Sequence, residues 1–199
     1  MIRTIDFYFD FPSPYAYLAH TQLPRIAAEH GATITYHPFR ILELMKIVGN
    51  RPTTIECENK RRYAGADLAR WTRRYKVEFA RNPHSKSFDF AELERGALVA
   101  IEDGRGAECV TAITGAIWGR PADLSQRSVL IDVLAGAGLD GARLLERASA
   151  ADIVAKQDTE TKAAATRGVF GAPTMFVGDQ MFFGNDRLDF VAEALRSAT

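Results

Sequence analysis

Hydrophobic and polar residues alternate at the start of the chain and then change to a helical spacing. The alternation over Arg3–Phe9 predicts a strand with one buried face. From Pro14 to about His30 the apolar residues recur every three or four positions, which predicts a helix that Gly31 is expected to end. Alternation returns over Ala32–Phe39 and predicts a second strand. Strand, helix and strand in this order predict two parallel strands joined by a right-handed crossover.

The middle of the chain, residues 41–166, has helical spacing and almost no strand pattern. It contains no internal repeat and no low-complexity segment. The spacing predicts the helices Lys60–Tyr75, Phe90–Asp103, Glu108–Gly119, Ser125–Ala135, Gly141–Ala148 and Ala151–Thr166. We therefore expect a helical segment inserted between the two parts of a sheet.

The end of the chain predicts a hairpin and a closing helix. Strand patterns at Thr174–Val177 and Met181–Phe183 flank turn residues, and a helix is predicted from about Asp186 to Arg196. The order βαβ, helices, ββα indicates an α/β fold, namely a thioredoxin-like sheet with a large all-helical insertion. The expected domains are a discontinuous thioredoxin-like domain, residues 1–40 and 167–199, and a helical insertion domain, residues 41–166.

Composition and charge limit the kinds of partner. With 199 residues, 47% of them hydrophobic, the chain is long enough for one well-packed domain or for a domain with a large insertion. Lys and Arg total 25, equal to Asp and Glu, so no overall positive field favours nucleic acid or an anionic membrane. Asp6 and Asp10 interrupt the apolar residues near the N-terminus, and no apolar stretch has membrane-spanning length. We expect a cytoplasmic protein without nucleic-acid or membrane partners.

The two cysteines form no recognisable redox or metal motif. Cys57 lies in a polar stretch and Cys109 in a predicted helix, with no Cys-x-x-Cys pair and no zinc-like spacing with histidine. Each is expected to be a free structural thiol. The sequence therefore predicts no metal site and no disulfide exchange by the protein's own thiols.

Ser13 occupies the junction between the first strand and the first helix, where a thioredoxin-like fold carries its reactive thiol. Serine followed by Pro14 is an ordinary helix start, so an N-cap alone accounts for it. A helix N-terminus also stabilises an anion, and a hydroxyl can donate a hydrogen bond to a thiolate. Both interpretations stay open, and the second requires a thiol that the protein itself does not supply.

The segment Gly168–Thr174 places Pro173 immediately before the returning strand. In thioredoxin-like proteins a cis-proline stands at this point, and the preceding residue, here Ala172, presents its backbone N–H and C=O to a thiol peptide as a short strand would. The sequence does not decide between that arrangement and an ordinary trans proline at a strand edge.

A third candidate lies at the start of the last helix, within Gly184–Leu188. Asn185 is a suitable N-cap, and its amide with the Asp186 backbone N–H could receive a carboxylate at the helix end. The Asp186 carboxylate could take an ammonium group. A plain cap with an acidic first turn explains the same residues.

Four segments of the chain together resemble the 2-hydroxychromene-2-carboxylate isomerases and the kappa-class glutathione transferases, which share the DsbA-like architecture. The resemblance runs from end to end. It rests on Phe9–Leu18, Gly49–Pro52, Gly168–Thr174 and Phe183–Leu188, in this order and spacing.

The resemblance implies a glutathione enzyme that forms a homodimer. In such an enzyme Ser13 would hold the thiolate of glutathione, and Ala172 with Pro173 would bind its cysteinyl backbone. Asn185 and Asp186 would bind the γ-glutamyl end, and Asn50 in the Gly49–Pro52 loop would also contact the tripeptide.

The implied reaction is the isomerisation of an aromatic-degradation intermediate, of the type 2-hydroxychromene-2-carboxylate to trans-o-hydroxybenzylidenepyruvate. The partner is then a small aromatic carboxylate, which the thiolate attacks transiently before ring opening, bond rotation and loss of glutathione. Two alternatives stay open: a transferase that conjugates glutathione to electrophiles, and a non-catalytic glutathione-binding module. Dithiol-disulfide oxidoreduction is not expected, because there is no resolving thiol.

The helical insertion is expected to supply residues that contact the second substrate. The segment Asn82–Asp89 departs from the apolar segment that many isomerases carry, and it is expected to help line the second-substrate cleft. Within it, His84 is either an acid/base group or a solvent-facing loop residue. The basic residues Arg70, Arg73, Arg74 and Lys76 either neutralise a substrate carboxylate or form a solvated helix face. Three aromatic residues could stack on a substrate, although core packing is expected for each: Tyr63, Trp71 and Trp118.

Overall fold

A computed structural model describes residues 3–197 as a mixed four-stranded sheet joined to a helical segment. The strands lie in the order β2-β1-β3-β4, with β1 parallel to β2 and antiparallel to β3. The fourth strand pairs antiparallel with β3. The strands are β1 (Arg3–Phe9), β2 (Ala32–Pro38), β3 (Thr174–Val177) and β4 (Gln180–Phe183). The helices are α1 (Pro14–Glu29), α2 (Ile41–Val48), α3 (Thr53–Glu56), α4 (Glu58–Tyr75), α5 (Phe90–Glu102), α6 (Gly106–Thr114), α7 (Arg127–Gly136), α8 (Gly141–Arg147), α9 (Ala151–Thr166) and α10 (Leu188–Ser197).

This architecture confirms the predicted α/β fold with a helical insertion, and the predicted strands differ from the observed ones by at most one residue at an end. Helices α2 and α3 were not predicted. Helix α2 is a short apolar run whose Leu42 and Ile47 are 55% and 53% exposed, so its side chains do not follow the one-sided burial expected of a surface helix. The predicted helix Glu108–Gly119 is also divided, because α6 is followed by a π-helical turn over Gly115–Gly119.

One cluster of buried side chains runs through the sheet and the helical insertion. Phe7 of β1 belongs to the same cluster as Leu23 of α1, Ala97 of α5 and Ile113 of α6, and all four are almost completely buried. Burial of large apolar side chains is the main stabilising term in such a core. The apolar core therefore crosses the boundary drawn from the sequence between residues 1–40 and 41–166, and that division into domains stays a prediction.

Two buried carboxyl groups, of Asp10 and Glu94, meet where β1 ends. Asp10 Oδ2 accepts a hydrogen bond from the backbone N–H of Ile41 at 2.7 Å, at the start of α2. Glu94 Oε2 accepts one from Gln157 Nε2 at 2.8 Å. Burial raises the pKa of Asp10 to about 6 despite a contact with Glu94 and the nearby charge of Arg40. Burial and the adjacent Asp10 raise the pKa of Glu94 well above its usual value, so the pair retains a proton at mildly acidic pH.

The Asp10–Glu94 pair is expected to make a pH-dependent contribution to stability, and Glu94→Gln should reduce it. A carboxyl group whose pKa is raised on folding stabilises the fold below its unfolded-state pKa, and this contribution is lost as the pH rises through the folded-state pKa, about 6 for Asp10. We expect the free energy of unfolding of Glu94→Gln, minus that of the wild type, to increase between pH 5 and pH 8 by on the order of 2 kcal/mol. Urea denaturation at a series of pH values measures it.

Glu146→Gln, at an exposed position of α8, is the matched control. Its free energy of unfolding should change with pH in parallel with that of the wild type. Parallel curves for Glu94→Gln and the wild type would show that the buried pair does not share a proton.

Candidate active site

A cavity of about 1060 Å³ opens where the loops at one end of the sheet face α4 and the residues that follow it. Its volume is at the upper end of the ~300–1,000 Å³ that is usual for small-molecule sites, which leaves room for two ligands. The cavity brings together the site residues predicted from the sequence: Ser13, Asn50, Ala172, Pro173, Asn185 and Asp186.

Ser13 is the N-cap of α1, as the sequence predicted. Its Oγ accepts a hydrogen bond from the Ala16 N–H at 3.2 Å and donates one to the carbonyl oxygen of Ala172 at 3.3 Å. Pro14 has no N–H, and the N–H of Tyr15 has no hydrogen-bond partner among residues 3–197. An anion at the N-terminus of α1 could therefore accept a hydrogen bond from the Tyr15 N–H. It could accept a second one from the Ser13 hydroxyl if that hydroxyl turns away from Ala172.

The loop before β3 presents an open stretch of backbone to Ser13. The Ala172–Pro173 peptide bond, whose isomer the sequence left open, is cis. The Ala172 N–H makes no hydrogen bond within the described part of the chain, and its C=O accepts the long bond from Ser13. Gly171 lets the Phe183 ring pack closely against this loop, since a Cβ there would lie 2.7 Å from the ring and displace it. Ala172 thus offers one donor and one acceptor that an extended peptide can use.

Asn185 is not the helix cap that the sequence predicted. It lies inside a 3₁₀ turn, Asn185–Arg187, which precedes α10, and its side chain makes no capping bond. Its carbonyl accepts a 2.7 Å hydrogen bond from the Tyr75 hydroxyl, which holds the turn against α4. The residue is 3% exposed, and its buried Nδ2 has no partner among the described residues. A buried amide without a partner is unfavourable, so this group is suited to a ligand acceptor in the cavity.

Asp186 lies beside Asn185 with a partly exposed carboxylate that pairs with Arg187. The preceding Gly184 has φ 101°, a conformation that only glycine adopts easily. A Cβ on Gly184 would also lie 2.5 Å from Asp186 Oδ1. The glycine therefore permits the carboxylate to turn back over the loop.

Asn50 joins two loops of the cavity. Its Nδ2 donates to the Phe170 carbonyl at 2.8 Å, and its Oδ1 accepts from the Arg51 N–H at 2.8 Å. Both functional atoms of the side chain are thus engaged within the protein. The contacts give Asn50 the role of positioning the Phe170 loop next to Ala172.

The expectation that Asn82–Asp89 lines the cleft was wrong. None of its residues lies among those that line the cavity. Asn82 is buried and donates from Nδ2 to the carbonyls of Ala116 and Ala122, at 3.1 and 2.8 Å, so it supports the π-helical turn instead. His84 is exposed and lies 3.6 Å from Asp123, in agreement with a solvent-facing loop position.

Aromatic residues form one wall of the cavity. Trp118, in the π-helical turn, donates from Nε1 to the Phe11 carbonyl at 2.9 Å, and its ring stacks on Phe79 with centroids 5.8 Å apart. Trp71 and Phe90 also line the cavity. Both tryptophans are half-buried against core clusters, as expected, and each also presents a surface to the cavity. Core packing was the wrong expectation for Tyr63, which is 64% exposed. No periodicity in the sequence indicates the π-helical turn, a local geometry that is frequent at functional sites.

The basic residues singled out from the sequence lie outside the cavity. Arg70, Arg73, Arg74 and Lys76 are exposed and do not line it, which confirms the solvated-face interpretation. Four other arginines line it: Arg40, Arg51, Arg61 and Arg81. Sequence reasoning missed them, since no spacing along the chain distinguishes these arginines from the rest.

Neither cysteine lines the cavity. Cys109 is buried, and burial raises the pKa of its thiol to about 12. Cys57 is exposed at the N-cap of α4. Residues 3–197 also contain no His, Cys, Asp or Glu cluster arranged to hold a metal ion. In the same part of the chain, no helix combines the length and apolar character needed to cross a membrane.

Comparison with known proteins agrees with this geometry. The family model of the DSBA-like thioredoxin domain matches residues 4–196. A 2-hydroxychromene-2-carboxylate isomerase from Sphingobium xenophagum is 38% identical over 98% of this chain and 99% of the relative. Human glutathione S-transferase kappa 1 is 25% identical over 97% of this chain and 91% of the relative.

A solved structure of a 2-hydroxychromene-2-carboxylate isomerase has a TM-score of 0.87 and 31% identity, covering 98% of this chain and 95% of the other. Membership of one family explains the full-length match, the serine at the start of α1 and the cis-proline loop. The chain belongs to the 2-hydroxychromene-2-carboxylate isomerase family of DSBA-like thioredoxin proteins.

Proposed function

We propose that the protein is a glutathione-dependent isomerase of an aromatic-degradation intermediate, of the type 2-hydroxychromene-2-carboxylate to trans-o-hydroxybenzylidenepyruvate. The observation that carries the proposal is the Ser13 hydroxyl, 3.3 Å from the carbonyl of Ala172 in a cavity that contains no protein thiol. The name of the 38% identical relative supports the reaction, and that of the kappa-class relative supports the cofactor. A cytoplasmic homodimer is part of the same proposal.

The residues present fit the cysteinyl and γ-glutamyl parts of glutathione. The unpartnered N–H and the C=O of Ala172, beside Pro173, would pair with the cysteinyl backbone. The unpartnered amide of Asn185 would donate to the γ-glutamyl carboxylate, and the Asp186 carboxylate, now paired with Arg187, would take the ammonium group. Asn50 acts on the tripeptide by fixing the adjacent loop. The cysteinyl backbone and the γ-glutamyl end would thus each meet protein groups of complementary hydrogen-bonding character.

When bound, glutathione supplies a thiolate that adds to the unsaturated ring and is lost again, so none is consumed. Ser13 stabilises the sulfur anion by rotating its hydroxyl hydrogen away from Ala172, while its oxygen continues to cap Ala16. The Tyr15 N–H and the dipole of α1 add to this stabilisation. The stacked rings of Phe79 and Trp118 give one side of the cavity an apolar surface.

Ser13→Ala should reduce glutathione-dependent turnover about 30- to 100-fold in kcat/KM, because one preorganised donor to the thiolate is lost. The pKa of the bound thiol should rise by about one unit or more, which a pH titration of thiolate absorbance measures. Ser13→Thr keeps a hydroxyl and a cap, so it should restore most of the activity. Equal turnover by Ser13→Ala and the wild type would contradict the proposal.

Asn185→Asp should weaken glutathione binding about tenfold or more, because a carboxylate replaces the amide donor beside the γ-glutamyl carboxylate. Titration calorimetry with reduced glutathione measures the change. The control is Asn59→Asp, the same substitution at an exposed position that does not line the large cavity. An unchanged Kd for Asn185→Asp would remove this residue from the glutathione site.

The mass of the product distinguishes the isomerase from a transferase. We expect a product with the mass of the substrate and a constant concentration of reduced glutathione, because addition and elimination occur in one cycle. Mass spectrometry with thiol quantification measures both. A product that retains the tripeptide would replace the isomerase with a transferase, and glutathione binding without turnover of either kind would indicate a binding module.

A further inference from the structure

Two of the arginines that line the cavity, Arg61 and Arg81, have no ion-pair partner among residues 3–197. Arg40 is paired with Glu43 and Asp158, and Arg51 with Glu56. The carboxylates that line the cavity are engaged elsewhere: Glu43 with Arg40 and Lys46, Asp67 with Tyr15 and Arg70, Asp186 with Arg187, and Asp10 with Glu94. The cavity therefore has two positive charges without a neutralising group.

Arg61 and Arg81 lie on the same wall. Arg81 Nη2 is 3.9 Å from the position that a Cβ on Gly65 would occupy, so its guanidinium rests against α4. Arg61 precedes Gly65 by four residues, one turn of the same helix. Arg61, Leu68 and Trp71 all line the cavity from α4, at spacings that place them on one helix face. The two exposed arginines thus form a positive region at this wall, which an anionic ligand group would neutralise.

Aromatic rings adjoin this positive region. Phe79 is two residues from Arg81, and the residue between them, Ala80, donates its N–H to the Trp118 carbonyl at 2.7 Å. This bond holds the segment against the stacked pair of Phe79 and Trp118. Trp71 is six residues beyond Gly65, about 9 Å along α4. The region thus presents flat apolar surfaces next to a guanidinium.

We infer that Arg81, assisted by Arg61, recognises the carboxylate of the second substrate and that the cavity selects aromatic carboxylates over neutral aromatic compounds. This inference rests on the proposed function for the identity of the second substrate. The planar guanidinium binds a carboxylate through two parallel hydrogen bonds, while the ring stacks on Phe79, Trp118 or Trp71. The glycyl carboxylate of glutathione has the same anionic chemistry, but it brings no ring to the aromatic wall.

The intrinsic fluorescence of the protein reports on this site. The sequence contains two tryptophans, Trp71 and Trp118, and both line the cavity. The probes are 3-phenylpropionate and its amide, which differ in charge but share the ring. We expect the wild type to bind the carboxylate about tenfold more tightly than the amide, with quenching of tryptophan fluorescence.

Arg81→Met should abolish that preference by weakening carboxylate binding about tenfold while leaving amide binding within twofold. Arg81→Lys keeps the charge without the planar fork and should be intermediate. Arg73→Met, on the solvent-exposed face of α4, is the matched control and should behave like the wild type. In turnover assays with 2-hydroxychromene-2-carboxylate, Arg81→Met should raise KM about tenfold with kcat within twofold.

The outcomes separate this inference from the proposed function. An unchanged carboxylate preference in Arg81→Met overturns the inference, even if glutathione binding depends on Ser13. Loss of glutathione affinity in Arg81→Met, with unchanged 3-phenylpropionate binding, also overturns it and assigns Arg81 to the glycyl carboxylate. Arg81-dependent binding of 3-phenylpropionate by a protein that does not bind glutathione supports the inference and refutes the proposed function.

Discussion

The buried carboxyl group of Asp10 is the contact on which the arrangement of the cavity depends. Its side chain binds the N–H at the start of α2 and contacts Glu94 of α5, while its backbone carbonyl accepts from the Ser13 N–H at 3.2 Å. Glu94 extends the connection to Gln157 of α9. Because a buried polar group is stable only with its partners in place, this junction fixes the end of β1 relative to α1, α2 and the insertion.

Much of the fold and the centre of the site could be predicted because their signals are local. Strand alternation identified β1 and β2, and a serine before a proline identified the start of α1. Pro173 before a strand pattern located the loop that faces Ser13, although only the folded backbone reveals its cis bond. Ser13 and Ala172 are 159 residues apart in the chain. The resemblance to a known fold predicted that Ser13 and Ala172 lie close together. Neither segment alone contains a feature that predicts it.

The second half of the cavity could not be predicted, because tertiary contacts determine it. The segment with Phe79 and Arg81 follows Lys76, a non-glycine residue at φ 55°, and is held by the bond from Ala80 to Trp118. No periodicity describes such a segment. Asn82 illustrates the same limit, since a polar residue in a loop looks like a cleft residue until its buried bonds to Ala116 and Ala122 are known. Helix α2 is short and buries only Leu44 completely, while Leu42 and Ile47 are exposed, so its apolar residues do not mark one buried face.

The separation of the two cysteines makes the natural sequence convenient for spectroscopy. Cys109 is buried with a strongly raised thiol pKa, whereas Cys57 is exposed at the N-cap of α4. A maleimide dye should therefore label one position without mutagenesis, because thiolate character and access control the reaction. That position begins the helix that carries Arg61 and Trp71 into the cavity, so energy transfer from tryptophan to the dye would follow movements of this wall during catalysis.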